Sequence, residues 1–330
     1  MTTPQTQTDA RDGASGRADY RPVGTDARAS TFATLKRALT EFSEDKMSDW
    51  AAALTYYGLL SLFPALIALV SLLGIFGNPT TTTQKITQIV TQIGPKSAAD
   101  TFAGPIRSIT QHKSASGILF FVGLGTALWS ASGYVGAFMR ACNVVYETPE
   151  GRPIWKLRPL QILVTLIMVI LLAAVALSIV LTGPIVDAVA KPLGIGSTAT
   201  TIWDIAKWPV LLGVVVLMFT VLFFAAPNVK LPGFRWVAPG ALFAVVVWLI
   251  ASAAFAFYVA NFGSYDKTYG TLGGIVAMLV WMWITNSALL LGAELNAERE
   301  RSRELAAGVA RADRELQAEP RSEPKDMKTT

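Results

Sequence analysis

Six runs of the chain continue for more than twenty residues without an Asp, Glu, Lys or Arg: Ala51 to Gly77, Ser116 to Met139, Pro159 to Val186, Trp208 to Val229, Trp236 to Tyr265 and Thr268 to Ala293. A bilayer core takes about 20 apolar residues per helical crossing, so each run is long enough to span, some with tilt. The apolar residues do not keep to one face. Leu163 to Val180 is apolar almost all round, which suits a helix surrounded by lipid rather than one half-buried on a soluble core. The pattern predicts an all-α fold, a polytopic membrane bundle with six transmembrane helices.

Between the runs the pattern becomes amphipathic. Phe32, Leu35, Leu39 and Phe42 fall at helical spacing beside Lys36, Arg37 and Lys46, which predicts a helix over Thr31 to Met47 lying on the membrane surface. Ser48 or Asp49 would cap the first span, and Pro64 inside it removes a backbone hydrogen bond and can kink the helix. In the first outer loop, Ile86, Ile89, Val90 and Ile93 form a stripe, and Phe102, Ile106 and Ile109 follow after Pro95. Two helices are predicted there, interfacial or packed on the bundle, and the spacing leaves both open.

Composition agrees with the spans: 52% of the 330 residues are hydrophobic and 15% charged, against roughly 25% charged in soluble domains. Residues 1–30 lack an apolar core and read as a disordered tail, 31–48 as the juxtamembrane helix, 49–297 as the membrane domain. Residues 298–330 read as a charged tail, helical and solvated and then disordered. No repeat is evident. The first apolar run starts too deep and runs too long for a cleaved signal, so it is expected to remain as an anchor.

An inside N-terminus puts Lys36, Arg37, Lys46, Arg152, Lys156, Arg158, Lys230, Arg235 and the Arg-rich C-terminus in the cytoplasm. The net charge of +5 then reflects topology and contact with anionic lipid, and no nucleic-acid partner is expected.

Three charges fall at the same predicted depth, the cytoplasmic edge: Asp49, Arg140 and Glu294. They read either as a contact cluster or, for Asp49 and Arg140, as residues suited to their helix dipoles. Tyr56, Tyr57, Ser61 and Trp129 are polar or aromatic without charge, and could line a groove or pair between helices. Asn261, Tyr269 and Gly270 lie in a glycine-rich hairpin, a candidate moving or ligand-facing element together with Pro64. One cysteine, Cys142, and one histidine, His112, exclude an internal disulfide and paired histidine chemistry. No phosphate loop, catalytic triad, metal-ligand set or cofactor signature is present, so neither an active site nor a cofactor is expected.

The segments Asp49-Trp50-Ala51-Ala52-Ala53-Leu54-Thr55-Tyr56-Tyr57, Leu60-Ser61-Leu62-Phe63-Pro64, Leu128-Trp129-Ser130-Ala131-Ser132-Gly133 and Met139-Arg140-Ala141-Cys142-Asn143 together resemble the YihY/BrkB integral membrane proteins, once labelled ribonuclease BN. Ala226-Pro227-Asn228, Pro239-Gly240-Ala241, Tyr269-Gly270 and Gly292-Ala293-Glu294-Leu295-Asn296 extend the resemblance over Asp49 to Asn296. It implies a six-span bacterial inner-membrane protein. Neutral polar and aromatic groups in the spans favour a transporter or flippase-like handler of a lipid or another amphipathic envelope molecule. The alternative is a non-transporting scaffold for envelope partners. A membrane ribonuclease ranks last, because RNA hydrolysis needs positioned metal ions or acid–base pairs. Membrane lipids are the expected partners, and the sequence sets no oligomeric state.

Overall fold

The computed structural model describes residues 31–76, 116–180, 197–261 and 271–323. Those residues form seven α-helices: α1 (Thr31–Glu44), α2 (Met47–Phe76), α3 (Ser116–Val145), α4 (Ile154–Val180), α5 (Ser197–Ala225), α6 (Phe234–Asn261) and α7 (Thr271–Ala306). Among the described residues four segments are long and apolar enough to cross a bilayer: Ile154–Val175, Ile205–Ala225, Phe234–Asn261 and Gly273–Ala306. The helices predicted in the first outer loop, the glycine-rich hairpin with Tyr269 and Gly270, and the tail at 1–30 lie outside the described residues.

From α2 to α7 each helix packs on its neighbour in chain order, and α7 returns to pack on α2 and α3. The result is a closed ring of six helices, with α1 outside it against α7 and α2. Burial is uneven along the ring. In α4 the buried positions are Gln161, Val164 and Thr165, and in α6 they run from Val237 to Val245, near the start of each helix. In α3 they run from Ser132 and in α7 from Asn286, toward the end of each helix. Because neighbours are antiparallel, all of these fall at one end, called here the base. Phe138 and Phe223 stack there at 6.2 Å. In the opposite halves of α4, α6 and α7 most side chains are exposed.

Helix ends at the base follow known capping chemistry. Past α3, Glu147 N–H donates to the Val144 carbonyl at 2.8 Å and Thr148 N–H to that of Asn143 at 2.9 Å. This is the Schellman pattern, with Glu147 in the left-handed region at φ 49°. Glycine usually takes that place, since a side chain there costs energy. Past α7 the same pattern is closed by Gly308 at φ 71°.

Two expectations are corrected at the base. Glu298, Glu300, Arg301 and Glu304 are buried, so the alternating acids and bases after Glu298 are not a solvated helix. The helix also ends at Ala306, short of Pro320, and residues 307–323 fold back as a strap, while most of the disordered stretch expected after Pro320 lies outside the described residues. Ala312 and Leu316 are buried, and Val229 and Pro320 form an antiparallel bridge. Glu298, Arg301 and Glu304 find partners on other elements, Arg37 of α1, Glu147 past α3 and the Gln317 backbone of the strap, which a single helix cannot supply, while Glu300 pairs with Arg303 of its own helix. The juxtamembrane helix forms as α1, yet it meets α7 through Thr34, Arg37 and Ala38, while Phe32 and Leu39 of the apolar stripe stay exposed.

Candidate functional site

Four polar assemblies hold the ring together. In the first, Glu298 receives Arg37 Nε and Arg301 Nε, each at 2.8 Å, and Arg301 Nη2 reaches Glu147 at 2.6 Å. Glu147 also accepts the Leu316 backbone N–H at 3.0 Å, which ties α1, α3, α7 and the strap to one network. Beside it, in the α1–α2 turn, burial pushes the Asp45 carboxyl up to about 6, and the nearby Glu147 and Glu44 add to this against Arg301.

The second assembly caps the end of α5. Arg152 donates to the Ala225 carbonyl at 3.3 Å and to the Ala226 carbonyl at 2.8 Å, while Arg321 of the strap donates to that of Phe224 at 2.6 Å. Cations at a helix C-terminus satisfy its unpaired carbonyls and suit its dipole. Glu150 orients Arg152 through two side-chain bonds of 2.8 and 2.7 Å. Burial would raise the Glu150 carboxyl, but bonds and charge from Arg152, with help from Asn143, hold it below its ordinary value.

The third assembly joins α6 to α7. Asn296 Oδ1 accepts Gly240 N–H at 3.1 Å, and its Nδ2 donates to the Val237 carbonyl at 3.0 Å, so one amide serves the backbone on both sides of Pro239. A Cβ at Gly240 would lie 2.4 Å from that amide. The fourth crosses the ring: Tyr134 Oη donates to Asn286 at 2.7 Å, and Asn286 Nδ2 donates to Thr55 Oγ1 at 3.1 Å. It ties α3, α7 and α2 together at the inner edge of the base.

The cluster expected from Asp49, Arg140 and Glu294 is not joined by any hydrogen bond or ion pair among the described residues. Asp49 is exposed in the first turn of α2, where it suits the dipole. Glu294 is buried, with its Oε1 unpaired among the described residues. Arg140 is exposed, its guanidinium over the Tyr57 ring at 5.7 Å.

The structure does bring several expected residues together around α3. Tyr56 and Tyr57 meet edge to face at 5.6 Å, and Ser130 Oγ lies 3.5 Å from the Leu60 carbonyl. Ser61 bonds back to the Gly58 carbonyl at 2.7 Å. Trp129 is exposed and carries the Arg158 guanidinium over its ring at 4.9 Å. Asn261 caps the far end of α6 by donating to the Phe257 carbonyl at 2.8 Å. Pro64 lies in the α2 backbone, with its side chain outside the described residues. Sequence reasoning counted Arg158 only as a topology charge, and its place before Pro159 gave no sign of the stacking.

Long apolar helices in a closed ring, tied at one end by buried polar links, define a multi-pass helical membrane protein. The profile of the virulence factor BrkB family matches residues 38–317, and the chain belongs to that family. The match is wider than the Asp49 to Asn296 resemblance and takes in half of α1 and most of the strap. The chain is 33% identical over 266 residues to the ribonuclease-like protein YfkH of Bacillus subtilis, covering 80% of this chain and 94% of that one. It is 26% identical over 263 residues to a UPF0761 membrane protein of Histophilus somni, covering 78% and 87%. A UPF0761 membrane protein of Aeromonas salmonicida is 26% identical over 261 residues, covering 78% and 86%. No solved structure matches.

Proposed function

We propose that this protein is a transporter or flippase-like handler of a lipid or another amphipathic envelope molecule in the inner membrane, and not an enzyme. The observation that carries this reading is the uneven packing of the ring. Buried side chains gather at the base, while Phe257, Tyr258, Ile275 and Trp281 stand exposed in the opposite half. A bundle tied by buried polar links at one end and presenting bare apolar and aromatic faces along the other half offers a two-faced molecule hydrocarbon surface beside a polar base.

Adding α2 and α3, each 30 residues long, to the four apolar segments gives six crossings. Lys156, Arg158, Lys230 and Arg235 lie near the base with α1 and the strap, which supports cytoplasmic termini. A ribonuclease reading, which the name of YfkH would suggest, finds no group of three metal-ligating side chains among the described residues.

The test is the lipid that stays with the full chain through purification in mild detergent. Enrichment of one lipid class over its share of the membrane is expected, and a bound set that mirrors the membrane would count against the reading. The scaffold alternative draws on Phe32 and Leu39, exposed at 76% and 53% on α1. Phe32→Ser with Leu39→Ser, beside deletion of residues 1–30 and 324–330, tests it: loss of partner recruitment with lipid enrichment unchanged is the result the scaffold predicts. A cut at Arg303 cannot serve, because Glu304, Leu316 and Arg321 belong to the base.

A further inference from the structure

We propose that Arg140 and Arg158 form a seat for the phosphate of an anionic phospholipid, in the groove that α3 leaves between α2 and α4. The inference rests on the lipid-handling reading and names a headgroup class for it.

The two arginines are level. Antiparallel α3 and α4 meet where Gly136 faces Gln161, so closely that a Cβ on Gly136 would lie 2.9 Å from the Gln161 amide. Arg140 lies one turn beyond Gly136 on α3, and Arg158 about one turn before Gln161 on α4. Both steps lead toward the base, which brings the two residues to the same height on adjoining helices.

Each guanidinium is held by neutral groups. Arg140 lies over Tyr57, while Arg158 lies over Trp129 and donates to Gln161 Oε1 at 3.2 Å. Among the described residues neither has a carboxylate at ion-pair distance, whereas Arg37, Arg152, Arg301 and Arg303 all do. Stacking on a ring fixes the plane of a guanidinium and leaves its N–H fork free, the geometry that receives phosphate bidentately.

The groove also suits the rest of a lipid. Trp129, Gly133, Gly136 and Arg140 follow one another at three- and four-residue spacing along one face of α3. Gly133 gives that face no side chain beside the Tyr57 ring, 3.8 Å from where a Cβ would be. Farther from the base, Val122 of α3 and Tyr56 and Leu60 of α2 are exposed, apolar surface for an acyl chain. Two arginines at one end and hydrocarbon at the other favour a lipid over free phosphate.

The experiment measures binding of phosphatidylglycerol and phosphatidylcholine with matched acyl chains to the delipidated full-length protein by native mass spectrometry. Both lipids carry a phosphodiester, but the choline cation of phosphatidylcholine competes with the arginines for it and is repelled by them, so the parent should prefer phosphatidylglycerol by about tenfold, the scale of one charge-assisted contact. Arg140→Ala with Arg158→Ala should bring the two lipids close to parity. Arg235→Ala, which removes an exposed arginine at the same end that has no aromatic partner among the described residues, should leave the preference intact. The seat is overturned if the parent shows no preference, if the double variant keeps it, or if Arg235→Ala abolishes it equally, since that would mean diffuse surface charge. Labelled-lipid movement by the parent, measured in parallel, judges the lipid-handling reading separately.

Discussion

Glu147 stands in the left-handed region at the end of α3, and Arg301 of α7 holds its carboxylate at 2.6 Å. The same arginine holds Glu298, which is 1% exposed. A strained cap is thus kept where a charge on another helix needs it, and that charge is shared with a second acid that has almost no access to water.

Arg301→Ala leaves both acids without this cation. Breaking a buried ion pair costs about 3–5 kcal/mol, and Glu147 is a third exposed, so the low end applies. Thermal unfolding in detergent should show a large loss of stability. Arg301→Lys, which cannot reach two carboxylates with a planar fork, should fall between parent and Ala.

Gly240→Ala tests the contact between α6 and α7. The added methyl would occupy the place of the Asn296 amide, so either the helices separate or the amide leaves the Gly240 N–H and the Val237 carbonyl. Unsatisfied buried polar groups cost about 1–3 kcal/mol each. The variant should melt earlier or accumulate less than the parent, and Asn296→Leu should do the same.

The cross-ring link should behave as a graded series. Tyr134→Phe removes one donor to Asn286 and should cost about 1 kcal/mol. Asn286→Leu removes bonds to both Tyr134 and Thr55, strands the Tyr134 hydroxyl while Thr55 keeps its bond to the Ala51 carbonyl, and should cost about twice as much. Equal melting temperatures for the two variants would contradict this ordering.

Asp45 gives a pH-dependent test. Its folded value of about 6 lies above its ordinary 3.8, so the folded state binds the proton more tightly. Stability therefore falls as pH rises from about 4 to 6, and the cost is fully present above that window. The group is half-buried, and after allowance for solvent screening the cost is about 1 kcal/mol. Asp45→Asn should stabilise the protein by that amount at about pH 8 and leave it unchanged at about pH 3. A gain of the same size at both would show that proton binding is not its cause.

The ring was legible where it depends on composition. Charge-free runs marked the long helices, and the three- and four-residue spacing of Phe32, Leu35, Leu39 and Phe42 marked α1. The base was not legible, because its pairings join residues as far apart as Arg37 and Glu298, 261 positions along the chain. Glu298-Arg299-Glu300-Arg301 reads as solvated when seen alone, and only the approach of α1, Glu147 and the strap buries it. Arg140 was singled out for neighbours it does not meet: its partner is the Tyr57 ring, which packs beside Gly133 of α3.

Lipid movement across a membrane tests the central claim most directly. The full chain is reconstituted into vesicles with a headgroup-labelled phosphatidylglycerol in both leaflets, and an impermeant quencher is added outside. The account predicts that label from the inner leaflet also becomes quenchable, faster than in protein-free vesicles, and that Arg140→Ala with Arg158→Ala slows this. Quenching confined to the outer leaflet, as in protein-free vesicles, would contradict it.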